Sequence, residues 1–137
     1  MTGADIMGEL LLGYAPLHAL VPIANIKAGK LPANAPLNSL LIRTISSVER
    51  QRLKRGKTVR TNDRVSITVR ADSYDAQIRI LDLVVDACAD RQGNFAGALR
   101  ASVLTAGRGP DLSGPGDSFE QAQDFKVSFD KPVSRGE

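Results

Sequence analysis

Hydrophobic positions recur with two different periods along the 137-residue chain, and the switches between them lay out its elements. Ile6, Leu10 and Leu11, with Met7 beside them, share one face of a short amphipathic helix over residues 4–12. Thr2 is placed to cap its start and Gly13 its end. Residues 14–21 are apolar too, but Pro16 and Pro22 bracket them and limit any helix to one or two turns. Residues 23–27 read as a short strand. Gly29, Pro32, Asn34 and Pro36 then mark an irregular loop.

A two-residue period follows. Leu40, Leu41, Ile42 and Ile45 form a near-continuous apolar run, which predicts a strand covered on both faces, with Arg43 wet near its end. Over residues 58–71, Val65, Ile67 and Val69 alternate with Ser66, Thr68 and Arg70, as in a half-buried strand. A long hairpin joins the two, with Gly56 at its turn. The period then lengthens: Ile78, Leu81, Val85 and Cys88 recur every three or four residues, widened by Leu83 and Val84. That predicts a helix over residues 74–89, capped by Asp72 or Ser73, with Gln77, Arg79, Asp82, Asp86 and Asp90 on the wet side. Residues 97–106 alternate again, with Leu99, Ala101 and Val103 on one face. Glycine and proline crowd residues 107–116. A last strand, 119–129, turns Phe125, Val127 and Phe129 inward.

The predicted fold class is α+β: a mainly antiparallel sheet with a long helix packed on one face and a short N-terminal helix. At this length one domain is expected, over residues 1–130, with 131–137 as a flexible tail. Hydrophobic residues are 42% and charged residues 24% of the chain, ordinary for a globular protein. The apolar stretches are too short to cross a bilayer, and no secretion signal is visible, so synthesis in the cytoplasm and no membrane partner are expected.

Charge sharpens this picture. The net charge is +3, yet residues 43–70 alone carry nine basic and two acidic side chains. Six of the basic ones, Arg50, Arg52, Lys54, Arg55, Lys57 and Arg60, lie within eleven residues at the hairpin tip. Such a cluster can grip phosphates without reading bases, or reach an acidic neighbour. It holds no aromatic residue for stacking bases, and no helix-turn-helix or RNP-like motif accompanies it. The remainder of the chain after residue 70 is acidic. Asp82, Asp86 and Asp90 recur every four residues there, either as a solvated helix face or as a counter-surface for another copy's basic arm.

Little suggests bond-making chemistry. His18, the one histidine, has no nucleophile or carboxylate motif nearby, so packing is its expected role. Cys88 falls on the apolar stripe, where a thiol acts as a small hydrophobe. One cysteine and one histidine cannot complete a structural zinc site. The glycines of residues 107–116 lack the GxxxxGK[ST] pattern and a strand–loop–helix setting. No catalytic residue, metal or cofactor is expected.

The order of elements resembles that of the tail terminator, or tail completion, proteins of long-tailed bacteriophages and related phage-derived particles such as gene transfer agents. Residues 5–26 correspond to that family's opening helix, Pro-containing stretch and Ile/Val strand, and residues 39–45 (SLLIRTI) to its next strand. Its characteristic strand running straight into a helix, R-V-Q-V-x-V-x-A-x-[ST]-Y-x-x-A, is matched by residues 64–77 (RVSITVRADSYDAQ), the helix continuing as ILDLVVDA over 80–87. Its closing D-F-x-V-x-[FY] is matched by DFKVSF at 124–129. The chain departs from the family in its unusually basic 50–60 tip.

The resemblance implies a non-enzymatic virion protein at the head–tail junction. It implies a homo-oligomeric ring, typically a hexamer, that caps the tail tube and joins it to the head–tail connector or stopper protein, with DNA passing through its lumen. Gly/Pro-rich loops such as 107–116 would rearrange on assembly. A head-side connector or stopper protein, and a small non-specific DNA-binding module, are the alternatives.

Overall fold

A computed structural model describes residues 2–50 and 58–132. Thr2 starts the first helix, α1 (Gly3–Leu12), through a reciprocal capping box: its hydroxyl accepts from the Asp5 amide at 3.2 Å, and the Asp5 carboxylate accepts from the Thr2 amide at 3.0 Å. Ile6, Met7 and Leu11 face inward and are fully buried. A single turn, α2 (Ala15–His18), and a 3₁₀ turn at Ile23–Asn25 lead into β1 (Ile26–Ala28). Then come β2 (Ser39–Glu49), β3 (Thr58–Ala71), α3 (Tyr74–Cys88), β4 (Gln92–Phe95), β5 (Ala98–Arg108), β6 (Leu112–Ser113) and β7 (Phe119–Pro132).

The strands form one sheet in the order β1-β2-β3-β7-β5-β4, with the two-residue β6 also on β7. Every pairing is antiparallel except the short parallel contact of β1 with β2. The sheet is therefore mostly, not wholly, antiparallel. The helices α1 and α3 lie against it, α1 on β2 and β3, α3 on β3, β7 and β5. The core between them holds Val65, Ile67, Val69, Phe125, Val127 and Phe129 from the two central strands.

Several sequence expectations change. Only one face of β2 is covered: Leu40 and Ile42 are buried, Leu41 is half-buried, and Ile45 is 52% exposed at a bulge between Thr44 and Ser46. In β5 the alternation breaks. Arg100 adopts a positive φ of 49° at a register shift, so Ala98 joins Ala101 and Val103 inside while Leu99 turns outward. The buried arc of α3 is Gln77, Ile80, Leu81, Val84, Ala87 and Cys88, with Ile78 and Val85 only half-buried. Its phase differs from the expected stripe because α3 packs against α1 and α2 as well as against the sheet. Gln77, expected on the wet face, is fully buried.

The helix ends at Cys88, and Asp90 lies beyond it in left-handed conformation (φ 59°), so the three-aspartate ladder is not a single helical face. Strand β7 continues to Pro132, paired to Thr58, which moves the start of the expected tail past residues 131 and 132. Residues 133–137 lie outside the described residues.

Candidate functional site

Of the expected basic arm, Arg52, Lys54, Arg55 and Lys57 lie outside the described residues. Arg50 is exposed just past β2, its amide donating to the Arg60 carbonyl at 2.8 Å. Arg60 belongs elsewhere. It sits in β3 directly opposite Asp130 of β7, and its guanidinium donates to that carboxylate at 3.3 Å and to the Arg100 carbonyl at 2.8 Å. A cross-strand partner therefore holds it within its own subunit.

On the acidic side, Asp82 is paired within the chain, 3.2 Å from Arg108 of β5. Asp86 is exposed on α3. The Asp90 amide donates to the Val103 carbonyl, which ties the end of the helix connection to β5. Asp82 and Asp86 are thus exposed one turn apart on α3, and Asp90 is exposed beyond the helix end.

What it does gather is the sheet face away from the helices. The side chains there come from alternate positions of β3 and β7, and the register aligns opposite charges. Arg70 faces Glu120 at 3.0 Å, Arg60 faces Asp130, and Arg64 reaches diagonally to Asp124 at 2.8 Å. Arg100 of β5 adds a 2.5 Å contact to Asp130, and this hydrogen bond is the main reason the Asp130 carboxyl titrates below its usual range. Arg43 and Lys126 share this face and meet no carboxylate among the described residues. A shallow groove of about 250 Å³ crosses it, lined by Ser46, Val48, Asn62, Asp63, Arg64, Ala106 and Lys126. Sequence reading missed this face. The signal was present as basic residues at even positions of one strand and acidic residues at even positions of another, but only the strand pairing brings them together.

The groups that could do chemistry are engaged in packing. His18 donates from Nε2 to the Leu11 carbonyl at 3.0 Å, fastening α2 to α1. Burial pushes the Cys88 thiol up to about 12, opposed weakly by nearby Arg91, which leaves it protonated and inert at neutral pH. Around the Gly/Pro-rich loop the backbone is taken up by a glutamine ladder: Gln121 donates to the Gly109 carbonyl and Gln123 to that of Gly107. Gln77 donates to Gln121 at 3.0 Å and to Asp111 at 2.8 Å. The loop is tethered to β7 and α3 rather than open to cradle a phosphate. Among the described residues no cluster of His, Cys, Asp and Glu could hold a metal ion, and no helix is long and apolar enough to cross a membrane.

No family model matches the chain, and no curated protein matches its sequence. Among solved structures it is similar to a chain in the virion of a native gene transfer agent particle, with a TM-score of 0.67 at 13% identity. The superposition covers 93% of this chain and 94% of the other. At that identity the likeness is one of fold, and it spans both chains almost end to end.

Proposed function

We propose that this chain is a structural protein of a phage-like particle. It forms a ring, a hexamer, that caps the tail tube and joins it to the head–tail connector, with DNA passing through the lumen. The observation that carries the reading is the shared fold with a gene transfer agent virion chain over nearly the whole of both molecules. The tail-terminator-like motifs at residues 64–77 and 124–129 add the position within the particle. The role is not enzymatic. His18 and Cys88 serve packing, and the conspicuous polar surface is an ion-paired sheet face.

Gold labelling of this chain in purified particles, viewed by electron microscopy, tests the reading. Label is expected at the junction of head and tail. Label along the tube or on the head shell, or particles of normal tail length assembled without the chain, would refute it.

A DNA-binding reading is favoured by Arg43 and Lys126, which lack carboxylate partners among the described residues, together with the basic 50–60 segment. Six phosphate contacts would make duplex affinity fall on the order of a thousandfold between about 50 and 200 mM salt. Absence of binding at the lower salt removes that reading and leaves the ring untouched.

A further inference from the structure

Two stretches of sheet edge are left without a partner among the described residues. On one side β1 covers only Leu40–Ile42 of β2, and the Ile42 carbonyl is the last on that edge to accept a bond, from the Gly29 amide. Beyond it, residues 43–49 are all exposed. The Arg50–Arg60 bond fixes which backbone groups of β2 point inward, so Thr44, Ser47 and Glu49 turn theirs outward. On the other side, the last bonds that cover β5 join Val103 to Asp90 and Arg91. From Leu104 onward that edge is open too, with Thr105 turned outward by the same alternation. Bare edges of this kind are templates for pairing with another chain; proline and lysine, two common guards, occur in neither stretch, and the bulges between Thr44 and Ser46 and between Thr105 and Arg108 are what interrupts them. Both carry uncovered apolar side chains: Val48 is 62% and Leu104 53% exposed, on the helix-free face.

We infer that β2 of one copy adds to β5 of the next, so that the sheets of successive copies join edge to edge around the ring. This rests on the ring reading above. The direction of the strands is what makes it work. β2, β3, β7 and β5 alternate in direction, an even number of strands, so the two outer ones run opposite ways. A copy rotated about an axis along the strands therefore sets its β2 antiparallel to its neighbour's β5, and the alternation continues unbroken. The contact is heterologous and repeats until the ring closes. It also keeps α1 and α3 of every copy on one side, and the Arg/Asp/Glu-laced face on the other. Pairing of β2 with β2 across a twofold axis would be antiparallel as well, but it stops at a dimer.

The test is a double variant, Val48→Cys with Leu104→Cys, in the full chain both free at high concentration and incorporated in particles. Cys88 is buried, so the introduced thiols are the accessible ones among the described residues. A short bis-maleimide linker tolerates a slip of two or three residues at about 3.4 Å each. The expected result is a covalent ladder from dimer to closed ring in the double variant alone. Val48→Lys and Leu104→Lys, at sites exposed in the subunit, should each raise the dissociation constant about tenfold or more while leaving the melting temperature of the monomer unchanged. Cross-linking of either single cysteine variant would overturn the head-to-tail pairing. Rings that form without a ladder would overturn the edge contact while sparing the ring. A chain that stays monomeric and never enters particles would sink both.

Discussion

Asp63 offers the sharpest test of how this fold is held together. It lies in β3 with its side chain turned toward the helices and is only 3% exposed. One carboxylate oxygen accepts from the amide of Gly3, the first residue of α1, at 2.8 Å, and the other accepts from the Ser47 hydroxyl at 2.5 Å. A strand carboxylate thus caps a helix sixty residues away in sequence and places a negative charge at the positive end of its dipole. The approach is so close that a Cβ on Gly3 would stand 2.7 Å from the Asp63 Cβ. Asp63→Ala removes a hydrogen bond to a charged group, worth about 1.5–3 kcal/mol, and leaves the buried Gly3 amide without a partner. Loss of the dipole interaction adds about 0.3–1 kcal/mol. Ser47 is exposed and turns to water at small cost. The total is about 2–4 kcal/mol. With a urea m-value of about 2 kcal/mol/M for a domain of this size, the unfolding midpoint should fall by about 1–2 M with m unchanged. Asp63→Asn keeps an acceptor for Gly3 and should cost only about 1 kcal/mol. Urea titration followed by far-UV circular dichroism gives both numbers. A midpoint shift below about 0.3 M for the alanine variant, or equal losses for alanine and asparagine, would refute the capping account.

Other consequences can be measured in the same way. Arg100 and Arg60 hold the Asp130 carboxyl below its ordinary 3.8, so its contribution to stability is complete above that pH and is lost as pH falls through the lower folded-state value. Asp130→Asn should therefore destabilise the protein at pH 7 and flatten its loss of stability below about pH 4, as read by denaturant melts across the acid range. The Cys88 thiol, raised from 9.0 to about 12 by burial, has the opposite sign: stability is retained below pH 9 and declines as the solution approaches pH 12. Native protein should leave this thiol unmodified by Ellman's reagent at pH 8, and rapid labelling without denaturant would contradict its burial. Gln77→Leu strips the buried Gln121 oxygen of its donor and should cost about 1–3 kcal/mol, whereas an apolar gain in thermal melts would show that the glutamine ladder is dispensable.

Much of the architecture was legible because it is local. The Thr2 cap, the length of α3 and the inward set Val65, Ile67, Val69, Phe125, Val127 and Phe129 follow from short-range periodicity and capping chemistry, which depend on neighbours within a few residues. So does the segregation of basic residues into 43–70. The chain by itself determined the two main helices, the long strands and, for β3 and β7, which face is apolar.

Partner choice is a different matter, since it depends on register between segments far apart in sequence. Arg60 looks like part of an arm until β7 places Asp130 opposite it, and Gln77 looks solvated until Gln121 of β7 and Asp111 of the Gly/Pro-rich loop meet its side of α3. Two bulges, at Ile45 and around Arg100, shift side-chain parity by one residue, a change too small for composition or periodicity to register. The ion-paired face and the bare edges of β2 and β5 exist only once seven strands have been ordered. Tertiary structure decided these because a cross-strand contact is set by alignment over tens of residues, whereas a helix turn or a strand's alternation is settled within about four.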